Sequence, residues 1–240
     1  MRWVAFVAAA VAWAAGVAPA RAEEGAAARA RRSRRDSPHT VFELGAGLLA
    51  LPGAKLCPRS PADCEPGETS IALRLQNFYK LGDSFAVGAG ITWAFGLRRD
   101  TAAGEASLER DHSRSYFAVA GQFRYYLPRF GDWQVWGGST VGGVVVNDSW
   151  TTKADREPYA DTDFVGPRAL TIGSEGLAVG LGVGFEWSFA EDWIFGSSAA
   201  YANWFLPGEP RTSPTGDHAS LAGRIDILDF GLQVAYRIPI

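Results

Sequence analysis

The feature that most constrains this chain is a hydrophobic alternation with a period of two, which runs from Thr40 to Ile240. One segment shows it clearly, with large residues at Leu177, Val179, Leu181, Val183, Phe185 and Trp187 and small or polar residues at Ala178, Gly180, Gly182, Gly184, Glu186 and Ser188. Successive side chains of a β-strand point to opposite faces. The pattern therefore predicts strands that have one large apolar face and one small or polar face.

The alternation falls into eight segments, at about residues 40 to 50, 68 to 80, 85 to 98, 113 to 127, 133 to 148, 172 to 189, 193 to 206 and 225 to 240. Several are long enough for a tilted strand to cross a bilayer. The third, fifth and seventh have glycine-rich centres that are compatible with bulges or tilt. Three short turns alternate with four long polar connections. This order is typical of an eight-stranded antiparallel up-and-down transmembrane β-barrel with short periplasmic turns and long extracellular loops.

Aromatic residues cluster near both ends of the predicted strands. Next to the short turns lie Tyr79, Tyr125, Tyr126, Phe130, Trp133, Trp187, Phe189, Trp193 and Tyr236, and near the long loops lie Trp93, Phe95, Tyr116, Trp150, Trp204 and Phe205. Two such groups predict aromatic belts at the two membrane interfaces. The alternative is a soluble β-domain with an aromatic core, but only three lysines occur in the chain, fewer than a water-exposed sheet face normally carries.

Composition excludes several other classes. The mean hydropathy of −0.04 argues against a helical membrane transporter. The chain has 23 basic and 26 acidic residues, so no broad cationic field is available for a nucleic acid. No phosphate-binding loop, haem site or zinc site is visible, and we expect no cofactor and no metal.

The first 22 residues carry the features of a secretory signal peptide. Arg2 precedes the apolar run 4–17, and Ala20 and Ala22 form a small-x-small cleavage site. The run is shorter than the roughly 20 residues of a membrane-spanning helix. We interpret 23–39, which is rich in Ala and Arg, as a flexible periplasmic tail, and 40–240 as the barrel. Docking of the arginines on an anionic surface is the alternative.

At the level of pattern, residues 40–240 resemble the eight-stranded outer-membrane barrels of the OmpA-domain and OmpX type. The last segment is similar to the terminal strand signal read by the barrel-assembly machinery, with outward positions at Phe230, Leu232, Val234, Tyr236, Ile238 and Ile240. The resemblance implies a monomer in the outer membrane of a diderm bacterium, surrounded by lipid and lipopolysaccharide.

Charged residues on the small face must point into the barrel lumen. Burying charge is costly unless the charges pair. We therefore predict a lumen network in which Glu43 and Glu186 pair with Arg74, Arg124 and Arg237. An eight-stranded barrel has room inside for side chains and little else, so this network predicts a plugged lumen, with a narrow small-solute channel as the alternative.

A hydrolase is the other functional alternative. His218, Ser220 and, downstream, Asp229 resemble the His-x-Ser arrangement of outer-membrane lipid A deacylases, although Leu221 replaces the Asn expected after the Ser. The interpretation we favour is non-enzymatic, a structural or surface-interaction role in which the long loops contact an unknown extracellular ligand. In the first of these loops, Cys57 and Cys64 are predicted to form a disulfide.

Overall fold

The computed structural model describes residues 37–56, 65–97, 100–103, 109–152, 169–212 and 218–239. Eight long strands dominate it: β1 (His39–Ala50), β2 (Thr69–Leu81), β3 (Phe85–Gly96), β4 (Glu109–Tyr126), β5 (Trp133–Thr152), β6 (Ala169–Ser188), β7 (Trp193–Phe205) and β8 (Arg224–Pro239). The short strands Lys55–Leu56 and Glu65–Pro66 pair with each other, and Asp100–Ala103 pairs with β4. Among the described residues, no helix is long and apolar enough to span a membrane.

Each long strand pairs antiparallel with its neighbour in the chain, and β1 also pairs with β8. Gly45 on β1, for example, lies opposite Arg74 on β2 and Gln233 on β8. The sheet is therefore closed and leaves no long edge strand unpaired. The predicted eight-stranded antiparallel barrel is confirmed. The glycine-rich centres of β3, β5 and β7 pair in unbroken register, so the bulges allowed for them are absent.

The outer surface of the barrel is apolar, the reverse of a soluble domain. Leu44, Leu181 and Leu232 are 68%, 69% and 58% exposed, and large apolar side chains are exposed on all eight strands. Such a surface requires a hydrocarbon environment rather than water. The large face of the alternation therefore points outward, as predicted.

The aromatic belts are only partly as predicted. Trp133 stacks on Trp187 and Trp193 packs edge-on against Tyr236, all four at exposed positions near the short turns. Four residues assigned to the belts are instead buried in the lumen: Tyr116, Tyr126, Trp150 and Trp204. The prediction is wrong for these four because nearness to a strand end does not determine which face of the sheet a side chain occupies. Parity alone decides which face a side chain occupies.

Strands β4, β5 and β6 are longer than the others, at 18, 20 and 20 residues against 12 for β1. Their extra length lies at the long-loop end, where the outward side chains become polar. Ser113, Ser149 and Thr171 lie side by side across these three strands, and the Ser149 and Thr171 hydroxyl oxygens are 2.9 Å apart. The change from apolar to hydroxyl side chains marks the outer limit of the hydrocarbon band.

Two apolar layers lie inside the barrel. The inner layer, at the short-turn end, comprises Val41, Phe78, Ala86, Tyr126, Trp136, Ile194 and Ala235. The outer layer, at the long-loop end, includes Leu49, Leu51, Tyr116, Val144, Trp204, Leu221 and Ile227. Inward glycines accommodate the largest neighbours. A Cβ on Gly184 would lie 2.6 Å from the Trp136 ring, so only glycine permits this approach.

Candidate functional site

Charged side chains meet inside the barrel close to the inner layer. We call this group the inner cluster; it comprises Glu43, Gln76, Lys80, Arg124, Tyr126, Gln134 and Glu186. At its centre Arg124 on β4 donates two hydrogen bonds to Glu43 on β1, from Nη1 to Oε1 at 2.7 Å and from Nη2 to Oε2 at 2.9 Å. Arg124 Nη2 also donates to Gln76 Oε1 at 3.0 Å. Both charged side chains are 3% exposed, and the paired geometry is the strongest an arginine and a carboxylate can form.

Two aromatic rings enclose the Arg124 guanidinium. Its central carbon lies 3.8 Å from the centroid of the Phe78 ring and 4.1 Å from that of the Trp136 ring. A guanidinium over an aromatic face gains cation–π attraction, and the gain is larger where water is excluded. Arg124 is therefore held by a carboxylate, an amide oxygen and two rings at once.

Glu186 and Lys80 complete the inner cluster. Tyr126 donates a hydrogen bond to Glu186 at 2.8 Å, and Arg124 Nη1 lies 3.6 Å from the same carboxylate oxygen. Lys80 Nζ donates to Gln134 Oε1 at 2.8 Å, lies 3.5 Å from the Tyr126 ring centroid and is 4.0 Å from Glu186. Among the cluster residues, Glu43 and Glu186 are acidic and Lys80 and Arg124 are basic, so their formal charges cancel.

The other two residues of the predicted network have different partners. Arg74 pairs with Asp229 on β8, with Nε 3.3 Å from Oδ2. Arg237 donates from Nε to His39 Nε2 at 3.2 Å and from Nη1 to the Glu191 carbonyl at 2.9 Å, at the short-turn end. Register explains the difference for Arg74, because Gln76, and not Arg74, lies opposite Glu43.

A second polar group lies beyond the outer layer. Glu68 accepts a hydrogen bond from Arg114 Nε at 2.6 Å and another from Tyr116 at 2.9 Å. Its own carbonyl accepts the Leu51 N–H at 2.8 Å, which holds the start of the first long loop against the barrel mouth. Glu68 and Arg114 were not singled out in the sequence. Arg114 shares its strand parity with Arg124, which is a signal that it faces the lumen.

The last long loop folds into the same mouth. Asp148, which is fully buried, accepts hydrogen bonds from the Ser220 hydroxyl at 2.6 Å, the Ser220 N–H at 3.0 Å and His112 Nε2 at 2.8 Å. The His112 ring stacks on Trp150 with centroids 4.8 Å apart. We call His112, Asp148 and Ser220 the outer latch. It holds the segment 219–221 inside the barrel, where all three side chains are buried.

Two residues of the hydrolase alternative, Ser220 and Asp229, bind partners outside the proposed catalytic group. The Ser220 hydroxyl donates to Asp148, and Asp229 pairs with Arg74. His218 is exposed at the surface of the loop. A nucleophile needs a base within hydrogen-bond reach and an acidic group that orients the base. His218, Ser220 and Asp229 do not form that chain of contacts in the described residues.

The remaining predicted sites lie at the termini and in the first loop. Phe230, Leu232, Val234, Tyr236 and Ile238 alternate outward along β8 and are exposed. Ile240 lies outside the described residues, as do Cys57 and Cys64 of the predicted disulfide, the predicted signal peptide and residues 23–36 of the predicted tail. No group of three or more potential metal ligands occurs among the residues that the structure describes.

A closed eight-stranded barrel with an apolar outer surface defines an outer-membrane β-barrel, which places the protein in a bacterial outer membrane. Solved structures of that class match it. Neisserial surface protein A (NspA) aligns over 82% of this chain and 96% of its own with a TM-score of 0.52 and 8% identity. A major outer membrane protein from Thermus thermophilus aligns over 84% of this chain and 99% of its own with a TM-score of 0.52 and 15% identity. No family model and no curated protein matches the chain.

Proposed function

We propose that this barrel is a non-conducting, non-enzymatic protein of the outer membrane, with a structural or surface-interaction role. The observation that carries the proposal is the inner cluster. In it Arg124 is held by Glu43, Gln76 and two aromatic rings across the lumen of an eight-stranded barrel. The interior of such a barrel is only wide enough for side chains to fill. A charge-balanced, hydrogen-bonded cluster at this point supports the proposal that the lumen has no continuous aqueous path.

We infer that the lipid-facing surface and the extracellular end of the barrel make the protein's contacts with its surroundings. We infer that outer-membrane lipid and lipopolysaccharide surround the apolar band, and that the barrel-assembly machinery reads the outward apolar residues of β8. The long loops, together with the hydroxyl-bearing extensions of β4, β5 and β6, form the surface offered to an extracellular ligand. Loops on a rigid scaffold commonly carry recognition, which supports assigning the interaction role to this end.

Planar-bilayer recording tests the closed lumen. We expect no discrete conductance from the wild-type protein and brief conductance steps from the variant Glu43→Ala/Arg124→Ala, which removes the central pair. Arg224→Ala serves as a matched control, because Arg224 forms an exposed ion pair with Asp226 at 3.7 Å. Regular conductance steps from the wild-type protein would refute the proposal.

The non-enzymatic part of the proposal is tested separately. Ser220→Ala removes the only side-chain hydroxyl of the His-x-Ser segment. We expect the mass spectrum of lipid A from cells that produce this variant to equal that from cells that produce the wild type. A mass difference that depends on Ser220 would show that the protein modifies lipid A.

A further inference from the structure

The part of β6 that extends beyond its neighbour β7 has one open edge. Residues 169–176 pair with β5 on one side, whereas the pairing of β6 with β7 ends at Phe205. The residue that would continue β7 opposite Glu175 is Pro207, which has no N–H to donate. The chain turns toward the start of β8 instead, where the Pro207 carbonyl accepts the Gly223 N–H at 2.8 Å. A proline therefore leaves this edge of β6 unpaired among the described residues.

The backbone groups of Thr171, Gly173 and Glu175 point toward this open edge. Along an antiparallel strand, the N–H and C=O groups of successive residues face opposite neighbours. The Ser188 N–H donates to the Asp132 carbonyl, next to β5, so even-numbered residues of β6 face β5 and odd-numbered residues face β7. The edge therefore presents three N–H and three C=O groups at the spacing of a β-ladder.

Arg211 is the charged group at this edge. It is exposed, and its Nη1 donates to the Gly173 carbonyl at 2.9 Å. The Arg211 carbonyl accepts the N–H of buried Ala219 at 2.8 Å, so the loop segment that enters the barrel mouth holds the arginine beside β6. A guanidinium has five N–H donors, and the contact with Gly173 uses one of them. A carboxylate is the group that a guanidinium binds best.

The open edge is supported by packing on its inner face. Ile172 and Ser174 are buried, and Ile172 packs with Trp150 and Ala219. On the far side of the same sheet, the short strand Asp100–Ala103 pairs with β4 and covers that edge. Natural proteins commonly cover their sheet edges, because an open edge can pair with a further strand. The edge of β6 is supported from inside and available from the side.

We propose that residues 171–175 of β6 bind an extended segment of a partner protein that carries an acidic side chain and adds to the sheet as a further strand. The backbone of the segment pairs with Thr171, Gly173 and Glu175, as in other cases of strand addition. Its carboxylate pairs with Arg211, and its N–H replaces the arginine at the Gly173 carbonyl. An extended peptide repeats donors and acceptors at the spacing of this edge. The inference rests on the surface-interaction role of the proposed function.

Hydrogen exchange of the β6 amides, measured by NMR on the protein in lipid nanodiscs, tests the edge. In the free protein we expect the N–H groups of Thr171, Gly173 and Glu175 to exchange quickly. Those of Ile172 and Ser174 should exchange slowly, because they pair with β5. Equally slow exchange at all five positions would mean that the edge is covered and would overturn the proposal.

The probe for strand addition is the capped peptide Thr-Thr-Val-Asp-Val-Thr-Thr. It consists mainly of β-branched residues and reads the same in both directions, so its Asp can lie opposite Gly173 in either orientation. At about 5 mM peptide, a Kd of about 1 mM predicts a roughly sixfold slowing of exchange at the edge amides. The same peptide with N-methylated backbone amides should cause no slowing. No slowing by the first peptide, or equal slowing by both, would refute strand addition.

Protein variants separate the backbone contribution from that of the arginine. Gly173→Pro removes an edge N–H without breaking a bond to β5 and should abolish the slowing at Thr171 and Glu175, while slow exchange at Ile172 reports an intact sheet. Ser113→Ala, on the outer face of β4, is the matched control and should respond as the wild type does. If Gly173→Pro is slowed as much as the wild type, the peptide binds elsewhere and the proposal is wrong.

The acidic side chain is tested with an analogue of the peptide in which Asn replaces Asp. We expect the wild-type protein to bind the Asp peptide about three- to tenfold more tightly than the Asn peptide, and Arg211→Gln to bind the two equally. The same preference in both proteins would overturn recognition of a carboxylate by Arg211. Failure of the proposed function appears separately, as conductance of the wild-type protein in planar bilayers.

Discussion

Replacing Arg124 with methionine tests the energetics of the inner cluster. The substitution removes two hydrogen bonds to Glu43, one to Gln76 and the cation held between Phe78 and Trp136. It leaves Glu43, at 3% exposure, as a buried carboxylate without its main partner. Removing one partner of a buried ion pair costs about 3–5 kcal/mol. The two lost ring contacts place the expected loss in unfolding free energy at the upper end of that range.

Guanidinium unfolding in phospholipid vesicles, followed by the fluorescence of the seven tryptophans between residues 93 and 204, measures this loss. Arg224→Ala is the matched control, since its ion pair is 63% and 47% exposed and is expected to cost under about 1 kcal/mol. The double variant Glu43→Leu/Arg124→Met should be more stable than Arg124→Met alone, because no charge is left unpaired. If Arg124→Met loses no more stability than Arg224→Ala, the reasoning about the cluster is wrong.

Two further substitutions test the wall of the barrel. Gly47→Ala places a Cβ against the Phe230 carbonyl and should destabilise by about 1–3 kcal/mol in the same unfolding assay, whereas Gly208→Ala, in open space, should be tolerated. A cost for Gly208→Ala as large as that for Gly47→Ala would contradict this. Leu232→Arg puts a cation on the lipid face and should cost about 2–4 kcal/mol, whereas Ser149→Arg, on the polar extension, should cost about 1 kcal/mol or less. If Leu232→Arg and Ser149→Arg lose the same folded fraction in vesicles, the position assigned here to the hydrocarbon band is wrong.

The strands were predictable from sequence because each residue in the wall of a membrane barrel faces either the lipid or the lumen, in strict alternation. Leu232 and Val234 must face lipid and Gly231 and Gln233 the lumen, so the alternation survives over the whole length of β8. The observed ends of the strands differ from the predicted ones mainly in β4, β5 and β6. There the outward residues become polar, as at Ser149, and the apolar signal fades while the strand continues.

The sequence predicts which residues face the lumen, but it predicts only some of the contacts between them. Parity identifies Glu43, Arg124 and Glu186 as lumen residues, and these three do meet. It does not identify partners, which depend on strand register. Arg74 reaches Asp229 because Gly47 and Gly231 leave room for its side chain.

The outer latch could not be predicted from the hydrophobic alternation, for a different reason. Ser220 lies in a loop, where no periodicity applies, and its contact with Asp148 joins residues 72 positions apart.

The most direct test of the account is the electrophoretic migration of the protein, taken from the outer-membrane fraction, in SDS before and after boiling. Every backbone group of a closed barrel is paired with a neighbouring strand, so detergent finds no edge at which to begin unfolding. We predict that the unboiled and boiled samples migrate at different positions. A single position for both, with the protein recovered from the soluble periplasm, would contradict the membrane barrel.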